Sequence, residues 1–242
     1  MTIKYPQKVI INEVGPRDGL QNEDQTITLE DKINLVNLLV KSGLKSIEAG
    51  SFVSPKWVPQ MADSLELIHA LKLHNDNDVT FSALVPNLKG LASAVKSKIS
   101  RIAIFASASE TFSKKNINCS IEESLDRFTE VVLEAQQYNL QIRGYVSCAF
   151  GCPYEGEISI DNVVSVSKKL LQLGCYEVAI SDTNGVGTPE RTKLIIEKLS
   201  ESLPIERIAM HMHDTRGRAI ENIQIALSYG ISSIDASVAG LG

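Results

Sequence analysis

The sequence predicts a (β/α)8 barrel. Eight short apolar runs recur along the chain, and seven of them lead through a loop into a stretch of helical periodicity. No Gly/Ser/Pro-rich linker interrupts the alternation. The turn after the first run, Gly15-Pro16-Arg17-Asp18-Gly19, lacks the Gly-x-Gly-x-x-Gly pattern that a doubly wound open sheet would carry there. At 242 residues the chain is only just long enough, since such barrels typically need about 250.

The first run, 9–14, passes through a charged loop into the amphipathic stretch 28–42. In Thr28-Leu29-Glu30-Asp31 a hydroxyl precedes a carboxylate by three residues, a capping-box variant that satisfies free N–H groups at a helix start. Leu29, Ile33, Val36, Leu39 and Val40 then share one face, and Gly43 supplies a stop. Run 46–49 leads through a Pro-containing loop to a helix over 61–73, and run 79–85 to a short helix over 87–96. Run 101–106 is followed by a long polar loop and a helix over 121–139. Run 141–149 leads to a helix over 159–173, closed by Gly174. Run 177–181 leads to 188–202, where Thr188-Pro189-Glu190 sets Pro at the first helical position and its missing N–H costs nothing. Run 207–213 precedes a helix over 217–229, closed by Gly230, and 232–238 is the eighth strand. No eighth helix follows to cover the gap between the seventh and the first. The expectation is a single barrel domain over 1–242, truncated at its C-terminus, or else a barrel covered by a second copy in a homodimer.

Composition narrows the function classes. With 24 Lys and Arg against 29 Asp and Glu the net charge is −5, a balance that disfavours nucleic acid as the main partner. No apolar run approaches the roughly 18–20 residues that cross a bilayer. The first ten residues carry neither a signal-peptide core nor an Arg/Ser-rich transit pattern. Four cysteines in a chain this long do not make a disulfide scaffold. These features lead to the expectation of a cytoplasmic globular protein.

Reactive residues of such a barrel sit at the C-terminal strand ends, and the unusual polar residues gather there. His211-Met212-His213-Asp214 ends the seventh run; side chains two apart on a strand share a face, so both imidazoles aim one way. Two neutral imidazoles can converge on a divalent cation, or they can be a hydrogen-bonded interior pair. The first strand delivers Glu13 and then Arg17 and Asp18. A carboxylate joined to two imidazoles makes a mixed N/O shell suited to Mg²⁺ or Mn²⁺ rather than to a closed structural zinc site. Arg17 offers a planar fork of donors to a developing oxyanion, or simply pairs with Asp18. Glu48 and Asp182 end the second and sixth strands and read as orienting groups, with structural salt bridges the alternative. Cys148 and Cys152 read as buried or loop thiols without a catalytic role, since no second Cys/His pair completes a ligand set. Lys114-Lys115 reads as a solvated loop pair, with an anionic cofactor as the alternative. Trp57, between Pro55 and Pro59, reads as a packing residue, and His69 and His74 as solvated helix residues.

The segment Gly15-Pro16-Arg17-Asp18-Gly19-Leu20-Gln21-Asn22-Glu23 resembles the signature of hydroxymethylglutaryl-CoA lyases, metal-dependent enzymes built on a (β/α)8 barrel. The resemblance covers essentially the whole chain. It continues through 48–55, 115–120, 143–148, Asp182-Thr183 with 185–189, 211–215 and 237–242. Leu20 stands where related Claisen synthases carry Glu, which favours the lyase branch over a synthase or aldolase. The resemblance implies Asp18, His211 and His213 as ligands of Mg²⁺ or Mn²⁺. It implies Arg17 as the group that binds substrate and steadies the enolate, with Glu48 and Asp182 positioning these parts. It implies cleavage of 3-hydroxy-3-methylglutaryl-CoA to acetoacetate and acetyl-CoA, a step of leucine degradation and ketone-body formation. The proton acceptor for the hydroxyl is Asp18, His213 or a water. The family's Gly-Leu-Gly leads into a loop with a catalytic Cys, and a later Asn completes the metal shell. The sequence stops at Gly242, before both. Low activity is therefore expected of the 242-residue form, down to a barrel that only binds metal or acyl-CoA; kcat with excess Mg²⁺ or Mn²⁺ measures it.

Overall fold

A computed structural model of the chain describes residues 5–73 and 79–242. Within them eight parallel strands close into a barrel in chain order, as the sequence predicts. They are β1 (Ile10–Glu13), β2 (Ser46–Ser51), β3 (Thr80–Leu84), β4 (Arg101–Ser107), β5 (Gln141–Ser147), β6 (Glu177–Asp182), β7 (Ile208–Met212) and β8 (Ser233–Ala236). The helices are α1 (Leu29–Lys41), α2 (Ser64–Leu73), α3 (Leu88–Ser97), α4 (Glu110–Ile117), α5 (Ile121–Gln137), α6 (Ile160–Leu173), α7 (Pro189–Ser200) and α8 (Ala219–Ser228). Every residue of β2 and β6 is buried, as expected of parallel strands covered on both faces.

The chain divides into two compact units. One takes in 105–129 and 142–234 with the described residues 5–10. Its core includes Ile180 on β6, Leu170 on α6 and Ile195, Ile196 and Leu199 on α7, all inaccessible to solvent. The other takes in the described residues of 11–104 with 130–141 and 235–242. Ile47 on β2, Leu91 on α3 and Ile102 and Ile104 on β4 are inaccessible there.

The helix starts follow the capping logic. Thr28 Oγ1 accepts the Asp31 N–H at 3.1 Å, and Thr188 Oγ1 accepts the Arg191 N–H at 3.2 Å ahead of Pro189. Removing the first cap with Thr28→Ala should cost about 1 kcal/mol, read as a lowered urea midpoint at unchanged slope. Gly174 closes α6 with φ 122°, a conformation other residues rarely adopt.

Four expectations change. The polar loop after β4 contains a helix, α4. Ser109 Oγ caps it by accepting the Phe112 N–H at 3.0 Å, and Asn118 ends it at φ 52°. With few apolar residues the segment carries no periodicity, so capping alone announces it. Lys114 and Lys115 therefore sit on the last turn of a helix, where cations favour its dipole, and Lys115 Nζ lies 3.9 Å from the centre of the Tyr154 ring. The charged loop after β1 winds a helical turn, Gly15–Gly19. Strand β7 ends at Met212, which leaves His213 one residue beyond it. Trp57 is 86% exposed and so is not the packing residue expected. His69 is exposed as expected, with Nε2 3.3 Å from the Lys96 carbonyl oxygen; His74 lies outside the described residues.

Candidate metal and substrate site

The turn after β1 is built by its backbone. The Val14 carbonyl accepts the N–H groups of Arg17 at 3.0 Å and Asp18 at 2.7 Å, closing a helical turn directly after the strand. Beneath them Glu13 Oε1 accepts two more N–H groups, from Gly15 at 2.8 Å and from Val238 at 3.0 Å. A Cβ at position 15 would lie 2.6 Å from Glu13 Oε1, so any larger residue there would displace this carboxylate.

Burial raises the Glu13 carboxyl above its ordinary 4.5, against the lowering effect of the two N–H donors. The folded state therefore holds this proton more tightly than the unfolded chain does. Unfolding free energy should fall as pH rises through the interval just above 4.5, then level off once both states are ionised. Glu13→Gln keeps an oxygen that accepts both N–H groups and should make that slope shallower in urea titrations at a series of pH values. An unchanged slope would place its source elsewhere.

Arg17 is 5% exposed. Its Nε donates to Glu48 Oε1 and its Nη1 to Asp18 Oδ1, while Gln21 Nε2 donates to the same Asp18 oxygen at 3.2 Å. Glu48, 3% exposed, sits where the register of β2 against β3 shifts between Glu48 and Gly50. The extra residue is a bulge of the kind that re-aims a side chain beside a functional site.

Asp182, 1% exposed, ends β6 and folds the next loop around itself. Oδ1 accepts the Val186 N–H at 3.0 Å and Oδ2 the Gly187 N–H at 2.8 Å. Burial raises its carboxyl; the two N–H donors and the charges of His213 and Arg216 act against that. On β7, His211 is 7% exposed, and its ring meets Tyr145 of β5 edge-on with centroids 5.5 Å apart. His213 Nε2 lies 3.2 Å from His211 Nε2. Asp214 serves the fold instead, accepting the Ala219 N–H at 2.8 Å at the start of α8.

Asp18, His211 and His213 each offer one ligand atom, and these atoms lie within 4.8 Å of one another. The donors fit a divalent ion. Neighbouring ligands of an octahedral ion at about 2.1 Å are separated by about 3 Å, close to the imidazole spacing. One carboxylate and two imidazoles also make the N/O set that such ions take.

The structure thus brings Asp18, His211 and His213 together and sets Arg17 against Glu48 and Asp18. Asp182 holds its own loop through both oxygens and interacts electrostatically with His213. Sequence reasoning gave no role to Glu13 or to the Arg143–Tyr145 pair. Arg143 Nε donates to Glu177 Oε1 at 2.7 Å and Nη1 to the Tyr145 hydroxyl at 3.1 Å, beneath the edge of His211. An arginine two residues before a tyrosine in an apolar strand was the available signal.

The HMGL-like family model matches residues 8–242. The chain is 52% identical over 240 residues to a 3-hydroxy-3-isohexenylglutaryl-CoA/hydroxy-methylglutaryl-CoA lyase of Pseudomonas aeruginosa, covering 99% of this chain and 79% of the relative. It is 52% identical over 239 residues to a cytoplasmic 3-hydroxy-3-methylglutaryl-CoA lyase of Danio rerio, covering 99% and 71%. Among solved structures, an HMG-CoA lyase of Acinetobacter baumannii in complex with coenzyme A and 3-methylmalate superposes with a TM-score of 0.92 at 36% identity, over 97% of this chain and 76% of that one.

Proposed function

The chain belongs to the HMGL-like family, and on that premise we infer that it cleaves 3-hydroxy-3-methylglutaryl-CoA to acetoacetate and acetyl-CoA. The observation that carries the reading is the convergence of Asp18 with His211 and His213 beside a buried arginine. The reaction breaks one carbon–carbon bond. A proton leaves the tertiary hydroxyl, the electron pair of the broken bond passes to the thioester as an enolate, and a proton returns to its carbon.

Asp18, His211 and His213 would hold a divalent ion, Mg²⁺ or Mn²⁺, which when bound lowers the pKa of the substrate hydroxyl. Arg17 carries the other half of the chemistry. Its guanidinium is locked by Glu48 at Nε and by Asp18 at Nη1, so its donors are fixed in advance. Donors held that way stabilise an enolate oxygen without reorganising during the reaction. Asp182 keeps the 182–187 loop folded at the mouth through its two backbone contacts. An acyl-CoA as substrate is supported by the coenzyme A in the Acinetobacter baumannii structure.

The test is direct. With Mg²⁺ or Mn²⁺, the protein should release acetoacetate and acetyl-CoA in equal amounts from 3-hydroxy-3-methylglutaryl-CoA. Release of free coenzyme A instead would mean thioester hydrolysis and overturn the reading. Cytoplasmic residence, in keeping with the Danio rerio relative's name, and a homodimer belong to the same proposal. Cell fractionation and light scattering test them. No described helix is long and apolar enough to cross a membrane.

A further inference from the structure

On the reading of Asp18 as a metal ligand given above, we propose that Gln60 is a positioning residue for the metal site. It clamps the loop whose first residues brace Asp18.

The bracing comes from the C-terminal side of the turn. Gln21 Nε2 donates to Asp18 Oδ1 and Asn22 Nδ2 to the Asp18 carbonyl oxygen, both at 3.2 Å. These two side chains stand where the chain becomes irregular: residues 22–28 form neither helix nor strand, and 22–26 are all exposed. Exposed irregular backbone is the least stable part of a fold, whereas a ligand has to be held to within about 0.5 Å. Something outside the loop must fix it.

Gln60, in the short turn Pro59–Met61 after β2, does so. Its side chain is buried, at 7% exposure for the residue. Oε1 accepts the Ile27 N–H at 2.9 Å, and Nε2 donates to the carbonyls of Gln25 at 2.9 Å and Glu23 at 3.4 Å. One amide thus grips the loop backbone at three places. The residue type matters, because a carboxylate could only accept, an ammonium could only donate, and Asn is a methylene shorter. Gln60 is itself anchored. Lys32 of α1, 2% exposed, donates from Nζ to the Gln60 carbonyl oxygen and to Asp63 Oδ1 and Oδ2 at 2.8 and 3.0 Å. A buried ammonium is costly without partners, so these acceptors hold Lys32, and Lys32 ties the Gln60 backbone to α1. All of these residues belong to one compact unit.

Isothermal titration of the full chain with Mn²⁺ tests the clamp. Gln60→Met fills similar space but makes none of the three loop bonds. Its Mn²⁺ affinity should fall about 10-fold, the low end of what groups that support a ligand cost. Asn87→Ala is the stability control: it removes the α3 cap, whose Oδ1 accepts the Gly90 N–H at 3.0 Å, and should lower the urea midpoint without changing the affinity. In Gln21→Leu the brace on the Asp18 carboxylate is already gone, so adding Gln60→Met should weaken binding far less than it does alone. Losses that simply multiply would show two independent effects and overturn the proposal. Unchanged affinity in Gln60→Met, or an equal fall in Asn87→Ala, would do the same. Should Gln60→Met not fold, Gln60→Glu keeps the acceptor, loses the donor and carries the same expectation. A protein that binds Mn²⁺ without cleaving 3-hydroxy-3-methylglutaryl-CoA overturns only the lyase reading and leaves these comparisons to decide. One that takes up no Mn²⁺ overturns the metal site and the clamp together.

Discussion

Arg17→Ala is expected to lower kcat by on the order of 10²–10³-fold, the range found when a preorganised oxyanion donor is removed. The same change leaves Glu48, 3% exposed, without its guanidinium partner, and breaking a buried pair from one side typically costs about 3–5 kcal/mol. The two effects can be separated. Arg17→Met with Glu48→Leu removes the pair from both sides and should recover most of the stability, because apolar replacement of a buried ion pair is often neutral. Activity should stay lost. Arg17→Lys keeps the charge but not the fork that meets Glu48 and Asp18 together, so turnover should remain low. Near-normal kcat in Arg17→Lys would mean that charge alone suffices and that the locked geometry is irrelevant.

His211→Ala should weaken Mn²⁺ binding by about 10²-fold or more, since changes even to groups that only support a ligand cost about 10–100-fold. Isothermal titration with Mn²⁺ reads this without reference to turnover. His213→Ala and Asp18→Asn should behave alike if the three side chains act as one site. Asp214 provides the control: its carboxylate caps α8 through the Ala219 N–H rather than joining the cluster. Asp214→Ala should lower stability by about 1 kcal/mol and leave the Mn²⁺ affinity unchanged. Equal affinity in His211→Ala and in the unsubstituted protein would remove the metal site from the account.

Legibility followed physical locality. The caps at Thr28 and Thr188 were readable because their chemistry spans four residues. The helix α4 was not, because its stability is signalled by Ser109 at its start rather than by any apolar stripe along 110–117. Trp57 misled for a different reason: an aromatic ring suggests burial on average, yet this one is exposed. His211 and His213 were readable as a pair because they stand two apart at the close of an apolar run, although His213 lies one residue beyond β7. Their edge-on neighbour Tyr145 was not, because it comes from a different strand and only pairing order brings it near.

The sequence by itself determined the order of eight strands alternating with helices and the identity of the polar residues delivered near the strand ends. These are consequences of periodicity, capping and turn chemistry, all of which act over a few residues. Tertiary structure alone decided which of those residues meet. Glu13 gathers the N–H groups of Gly15 and Val238, 223 positions apart by their numbering. Arg17 is fixed by an acid one strand away, whereas Asp182 turns back onto its own loop. The physical reason is that closing a barrel brings strand ends together whatever their separation along the chain, and no local rule encodes which buried charge will find which partner.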